Sequence, residues 1–284
     1  MPTDKKCSSC RQDRREDKVV LWVDPFMNDV QKGMEKYNKK IKAIAKKKPL
    51  KKVKVRKGNI EKTTQKVWYL DTKKFDCYNN DYSLRVRQEK KKGKLGEVEF
   101  NVKYRHPDPA VVNGVNLKYT TKHSNCKYEQ DVVPPFEIKF SRSGTIEKLS
   151  RSDVPKNMKQ LRKIFPKGLK ELSDVPNKKK LKKACDFDAK EVAYKKALMI
   201  DFGRGLKDVE AGFNFWYRNK KLVVAEFSFT HDLSKGGIPR KTARRAYAFF
   251  KAMQCPGMWV STDKAATKTQ FAYRCANKKD SSNC

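Results

Sequence analysis

The sequence predicts an α+β protein built around a closed or nearly closed antiparallel β-sheet, with a few helices at its periphery. Three observations carry this. From Val67 to Arg105 the chain alternates charged and apolar side chains residue by residue, the period of two that a strand imposes. The back half repeats strand-like runs at 192–202, 212–218 and 222–230. Two stretches, 26–47 and 239–253, space their apolar residues as amphipathic helices do. Many strands with few helices favour closure, because a closed sheet leaves no unpaired edge.

Taken in order, residues 1–15 read as a polar tail, and 18–24 as a weakly alternating strand ending at Pro25, where a helix starts. Phe26, Val30, Met34, Tyr37, Ile41 and Ile44 form one face of that helix; its other face is largely Lys, and Pro49 stops it. Residues 50–64 read as a basic strand or loop before a strand at 66–71. In the hairpin, Ser83, Arg85, Arg87 and Glu89 share one face of the first strand, and Glu97, Glu99, Asn101, Lys103 and Arg105 one face of the second. The run HPDPAVVNG reads as a loop, and short strands at 128–132 and 136–140 are interrupted by Pro134 and Pro135. A basic helical region at 157–172 and the run KKKLKK at 178–183 separate the two halves. A last strand is expected at 267–275 and a polar tail at 276–284, which leaves one domain over 16–275 with a basic helical insertion around 150–185.

The charge is extreme: 68 Lys and Arg against 32 Asp and Glu give a formal net charge of +36. Such a surface attracts polyanions by long-range steering, whether nucleic acid, polyphosphate, anionic lipid or acidic polysaccharide; the alternative is a Lys-rich face that only serves solubility. No apolar run reaches the roughly 18 residues of a membrane-crossing helix, so no transmembrane segment is expected. The first residues lack the apolar core of a signal peptide. The chain thus reads as cytosolic or as a mature form without its leader, and eight cysteines tilt the reading toward a periplasmic or secreted protein. Cys255 with Cys275 and Cys77 with Cys126 are candidate pairs. Cys7 and Cys10 have metal or redox spacing, but with no second such motif they read as a local disulfide or free thiols. His106, His123 and His231 are too scattered for a triad or metal site, and Ser141 has no evident base, so a serine or cysteine nucleophile has no support. Tyr69, Trp216 and Tyr217 could stack on bases, although strand aromatics are more often core. Oligomeric state has no signature here.

A strand face that carries both Arg/Lys and Glu can grip a phosphoryl group and its metal together; an ordinary amphipathic hairpin with its polar face in water would show the same period. The run Trp68-Tyr69-Leu70-Asp71-Thr72, followed by Leu84-Arg85-Val86-Arg87, resembles the CYTH family of triphosphate tunnel metalloenzymes. Val102-Lys103, Tyr128-Glu129-Gln130-Asp131 and Ala225-Glu226-Phe227-Ser228 follow in the family's order. The runs KYEQDVVPPFEIKFSRS and TKTQFAYR are similar to a divergent bacterial branch, and the resemblance spans 16–275. It implies an eight-stranded antiparallel barrel whose tunnel binds triphosphate, polyphosphate or another phosphate-rich anion, such as a nucleotide, with magnesium or manganese as cofactor. Members hydrolyse inorganic triphosphate, thiamine triphosphate or RNA 5′ triphosphate, and some cyclise ATP. By position, Arg85, Arg87 and Lys103, with Lys139 and Arg142, would contact phosphate. Glu129, Asp131 and Glu226 would be catalytic, as metal ligands or positioning water, and Glu16 a further metal ligand.

One departure divides the functional reading. The family opens with Glu-x-Glu-x-Lys, and anchoring that strand at Asp24-Pro25 sets Glu16, Lys18 and Val20 at those positions; a slipped register would instead keep Glu16 and Lys18 as part of the motif. Ser228 stands where the later acidic strand carries its second glutamate. Two readings therefore follow: a metal-dependent phosphohydrolase, or a non-catalytic barrel with an eroded metal site that binds a polyanion or, through its basic surface, nucleic acid.

Overall fold

The computed structural model describes residues 11–91, 94–119, 124–234, 236–261 and 267–276. The expectations for Cys7, Cys10 and His123, and for residues 1–10 and 277–284 of the two tails, lie outside them; Arg14 and Arg15, expected in the first tail, instead begin the first strand. Ten strands follow one another as β1 (Arg14–Leu21), β2 (Lys54–Lys57), β3 (Glu61–Asp71), β4 (Tyr82–Lys91), β5 (Lys94–His106), β6 (Ser124–Val133), β7 (Glu137–Leu149), β8 (Lys182–Asp201), β9 (Val209–Arg218) and β10 (Lys221–Asp232). Nine of them close a barrel in the order β8-β3-β4-β5-β7-β6-β1-β10-β9, with β9 returning to β8; β2 pairs with β8 outside the ring.

The expected eight all-antiparallel strands are thus corrected to nine, with β1 and β6 running parallel. Parity requires it, since an odd number of strands cannot close with every neighbour antiparallel. β1 reaches its place between β6 and β10 without a hairpin turn on either side, so no tight turn dictates its direction.

The two longest helices pack outside the barrel wall, and the last helix packs against inward-facing residues. α1 (Asp24–Met27) and α2 (Val30–Ala45) follow β1, α3 (Asp76–Asn79) joins β3 to β4, α4 (Pro109–Gly114) follows β5, α5 (Met158–Ile164) precedes β8, and α6 (Arg240–Ala252) and α7 (Lys268–Ala272) end the fold. Phe26, Met34, Tyr37 and Ile41 meet Phe213, Phe215 and Phe227 on one flank, joined by Phe249 and Phe250 of α6. On the other, Met158, Leu161, Phe165 and Leu172 cover Leu84, Val86, Phe100 and Val102. These two clusters lie outside the wall, and alternation sends polar residues of the same strands into the lumen; a third cluster, with Val67, Tyr69, Trp216, Val224 and Tyr273, lies on the inner face, in register with Arg85, Arg87 and Glu191. Gly144 belongs to this arrangement, because a Cβ there would stand 2.7 Å from the Phe165 ring.

Three local expectations change. The run HPDPAVVNG holds helix α4, started by Pro109 and by Asp108, whose side chain accepts from the Ala110 N–H. The stretch 267–275 carries α7 rather than a strand, because Thr267 and Gln270 make a reciprocal capping box. The prolines at 134 and 135 sit in the β6–β7 turn, so both strands run longer than expected. Neither candidate cysteine pair forms: Cys77 and Cys255 are free thiols, Cys185 is bonded to Cys275 across a Cα separation of 5.7 Å, and Cys126 is in a disulfide, but not with Cys77. Among the described residues no helix is long and apolar enough to cross a membrane.

Candidate functional site

Register sets which side chains meet in the lumen. On β4, Arg85 and Arg87 face inward opposite Asn101 and Glu99 of β5. Lys103 and Arg105 of β5 lie opposite Ser143 and Ser141 of β7, and Ser141 in turn lies opposite Glu129 of β6. These buried serines are small, so charged side chains from β5 and β6 reach across them: Lys103 Nζ stands 2.8 Å from Glu129 Oε2, and Arg105 Nε 3.6 Å from Asp131 Oδ2. The parallel register of β1 against β6 sets Arg14 beside Glu129 and Glu16 beside Asp131. Arg14 Nε then lies 2.9 Å from Glu129, and Lys18 Nζ is shared between Glu16 at 3.2 Å and Asp131 at 3.1 Å.

Glu226 of β10 is paired with Lys268 of α7 at 2.7 Å. Across the lumen, Glu191 of β8 accepts from Trp216 Nε1 at 2.7 Å and from Gln65, and lies 3.4 Å from Arg87 Nε. Arg87 also donates to Glu99 at 3.3 Å.

These contacts set the protonation states. Burial pushes the Glu129 carboxyl up, but Lys103 and Arg14 outweigh it and hold it below its ordinary value. Asp131 is held far down in the same way, against its burial, by Lys18, Lys103 and Arg105. Burial likewise opposes, and Lys18 overrides it, at Glu16. At Lys18, burial would lower the ammonium, yet Asp131 and Glu16 raise it. All four are charged at neutral pH. Two cations go the other way: burial outweighs the carboxylates at Lys103, and at Arg85 burial and the neighbouring Arg87 both lower it.

Arg85 is unlike its neighbours. It has no hydrogen bond or ion pair among the described residues, and its Nε is buried without a partner. A buried orphaned donor is rare enough to require a reason.

Of the residues singled out from sequence, Arg85, Arg87, Lys103, Glu129, Asp131, Glu226 and Glu16 all face this lumen. Lys139 has the same parity, opposite Asp131, but near the strand's end, where its half-exposed side chain pairs with Glu137 at 3.1 Å. Arg142 is set apart. It lies opposite Tyr104 and Tyr128, so alternation turns it to the outer wall, where its guanidinium covers the Tyr128 ring and Nη2 donates to Asn113 Oδ1 at 3.4 Å. The Asp71-Thr72 step forms a turn: the Asp71 carboxylate accepts from the N–H groups of Thr72, Cys77 and Tyr78. Sequence reasoning missed Arg14, Glu191 and Lys268. Arg14 was legible, since Arg14, Glu16 and Lys18 are in phase; Lys268 was not, because its segment read as a strand.

A magnesium or manganese ion needs several anionic oxygens around it. Among the described residues no three Asp, Glu, His or Cys side chains are grouped to hold a metal. Glu16, Glu129, Asp131 and Glu226 each already have a Lys or Arg nitrogen within 3.2 Å. The donor set as arranged does not fit such an ion.

No family model matches the chain. No curated protein matches it. Solved structures do: HpAC1 from Hippeastrum, provisionally assigned as an adenylyl cyclase and described as having a dominant triphosphatase activity, is 10% identical over 92% of this chain and 94% of its own, with a TM-score of 0.48. A protein of Bacillus halodurans provisionally assigned as an adenylate cyclase is 13% identical over 90% and 97%, with a TM-score of 0.38. PH1819 from Pyrococcus horikoshii is 10% identical over 92% and 99%, with a TM-score of 0.40.

Proposed function

We propose that the lumen binds a phosphate-rich anion, of the class of inorganic triphosphate, polyphosphate or a nucleoside triphosphate, without a preassembled metal. The observation that carries this is Arg85, a lumen guanidinium beside Arg87 with no anionic partner of its own. Guanidinium forks match phosphate oxygens two at a time, which a lone ammonium cannot do. Lys103 lies one strand away and Lys139 nearer the barrel end, on the same face. In this reading Glu99, Glu129, Asp131 and Glu191 hold Arg87, Lys103, Arg105 and Lys18 extended into the lumen, so that the anion meets cations already in place. The test is calorimetric titration with tripolyphosphate. Arg85→Met is expected to weaken binding roughly ten- to a hundredfold, while Ser at the exposed Lys36, Lys39 and Lys42 leaves it within about twofold. Affinity should fall steeply with salt, because several phosphate contacts are made; a flat salt response would sink the proposal.

Metal-dependent hydrolysis requires the entering anion to draw Lys18 and Lys103 off Glu16, Glu129 and Asp131, leaving those oxygens for a magnesium or manganese ion. The adjacency of Glu16 and Asp131 in the β1–β6 register favours this second reading. Phosphate release that needs metal and is lost in Glu129→Gln would establish it.

A further inference from the structure

Lys268 reaches the lumen from outside the barrel strands. It is the first residue of α7, and its Nζ sits 2.7 Å from Glu226 Oε1, with the side chains only 18% and 6% exposed. Its charge also acts on Glu16 and Glu191, helping to hold both carboxyls down.

The helix that carries it is fixed from several sides. Thr267 and Gln270 cap it. Tyr273 stacks on Tyr78 at 4.3 Å between ring centres and donates to the Leu70 carbonyl at 3.3 Å. The Thr269 hydroxyl stands 3.5 Å from that of Tyr69. Cys275 is bonded to Cys185 near the start of β8. A lysine delivered from an anchored helix loses little further freedom when it enters the lumen.

Resting on the anion-binding reading above, we infer that Lys268 supplies at Glu226 the positive charge that a divalent cation would otherwise bring, so that the barrel takes its anion bare. Glu16, Asp131 and Glu226 would by themselves repel phosphate from their side of the lumen. Lys18 compensates the first two and Lys268 the third. An ammonium held this way occupies the oxygen a metal would need, which makes the lumen selective for metal-free polyphosphate over its magnesium complex.

The experiment has a wild-type arm and a variant arm. Wild-type protein titrated with Mn2+ alone, followed by the electron paramagnetic resonance signal of free Mn2+, is expected to take up none, and to bind tripolyphosphate more tightly in chelator than with Mn2+. Lys268→Met is expected to take up one Mn2+ and, in chelator, to bind tripolyphosphate about tenfold more weakly, with Mn2+ restoring it; Lys268→Arg should keep the wild-type behaviour. Stoichiometric Mn2+ uptake by the wild type, or tripolyphosphate binding in chelator that Lys268→Met leaves unchanged, would overturn the inference. The wild-type arm decides it even if the methionine variant fails to fold. Loss of tripolyphosphate binding by the wild type with and without Mn2+ would instead refute the anion-binding reading.

Discussion

Replacing Glu191 with leucine removes the carboxylate on which Arg87, Trp216 and Gln65 converge. The side chain is 1% exposed, so no water is at hand to take over its contacts. Leucine leaves the Trp216 N–H without an acceptor inside the barrel, which costs about 1–3 kcal/mol. Arg87 keeps Glu99 at 3.3 Å but loses its more buried partner, and breaking such a pair from one side brings the total to about 3–5 kcal/mol. Glutamine keeps an acceptor for Trp216 and loses only the charge, for about 1.5–3 kcal/mol. Urea unfolding followed by tryptophan fluorescence reads both variants. Leucine should be the more damaging by at least about 1 kcal/mol; equal losses, or a leucine variant within about 1 kcal/mol of wild type, would refute the view that Glu191 is a structural anchor for Arg87.

Acid should weaken the fold in a defined window. Glu16, Glu129, Asp131 and Glu191 all have carboxyls held below their ordinary values in the folded protein, so the unfolded chain takes up protons first as pH falls. Their stabilisation is complete above the ordinary glutamate value of 4.5 and is lost progressively below it. Urea midpoints measured from about pH 6 down to pH 3 should decline only below about 4.5, and a flat profile would contradict the ion-paired lumen. Separately, Cys185→Ser with Cys275→Ser opens a link between residues 90 apart. It should lower stability by about 2–4 kcal/mol, and an unchanged melting temperature would show that α7 is held by Tyr273 and its neighbours alone.

The lumen was legible in the sequence where period alone decides which way a side chain faces. The hairpin of β4 and β5 set Arg85, Arg87 and Lys103 on one face, and Glu129, Asp131 and Glu226 followed from strands of the same alternation. Period also contradicts Arg142, which is out of phase with Ser141 and Ser143. The parallel contact of β1 with β6 was not legible, because partner choice between distant strands leaves no local mark, and that contact brings Arg14 to Glu129 and Lys18 to Asp131. α7 was misread for a related reason: TKTQFAYR alternates well enough for a strand, and only the Thr267–Gln270 cap and the burial of Tyr273 decide for a helix. The disulfide between Cys185 and Cys275 depends on that placement, so it too was hidden.

The most direct test of the central claim is a crystal structure of the protein grown with tripolyphosphate in the presence of chelator. Density for the anion is expected inside the barrel, with phosphate oxygens within hydrogen-bond reach of Arg85 and Arg87. Tripolyphosphate found only on the exposed lysines of α2, with Arg85 still unpartnered, would contradict it.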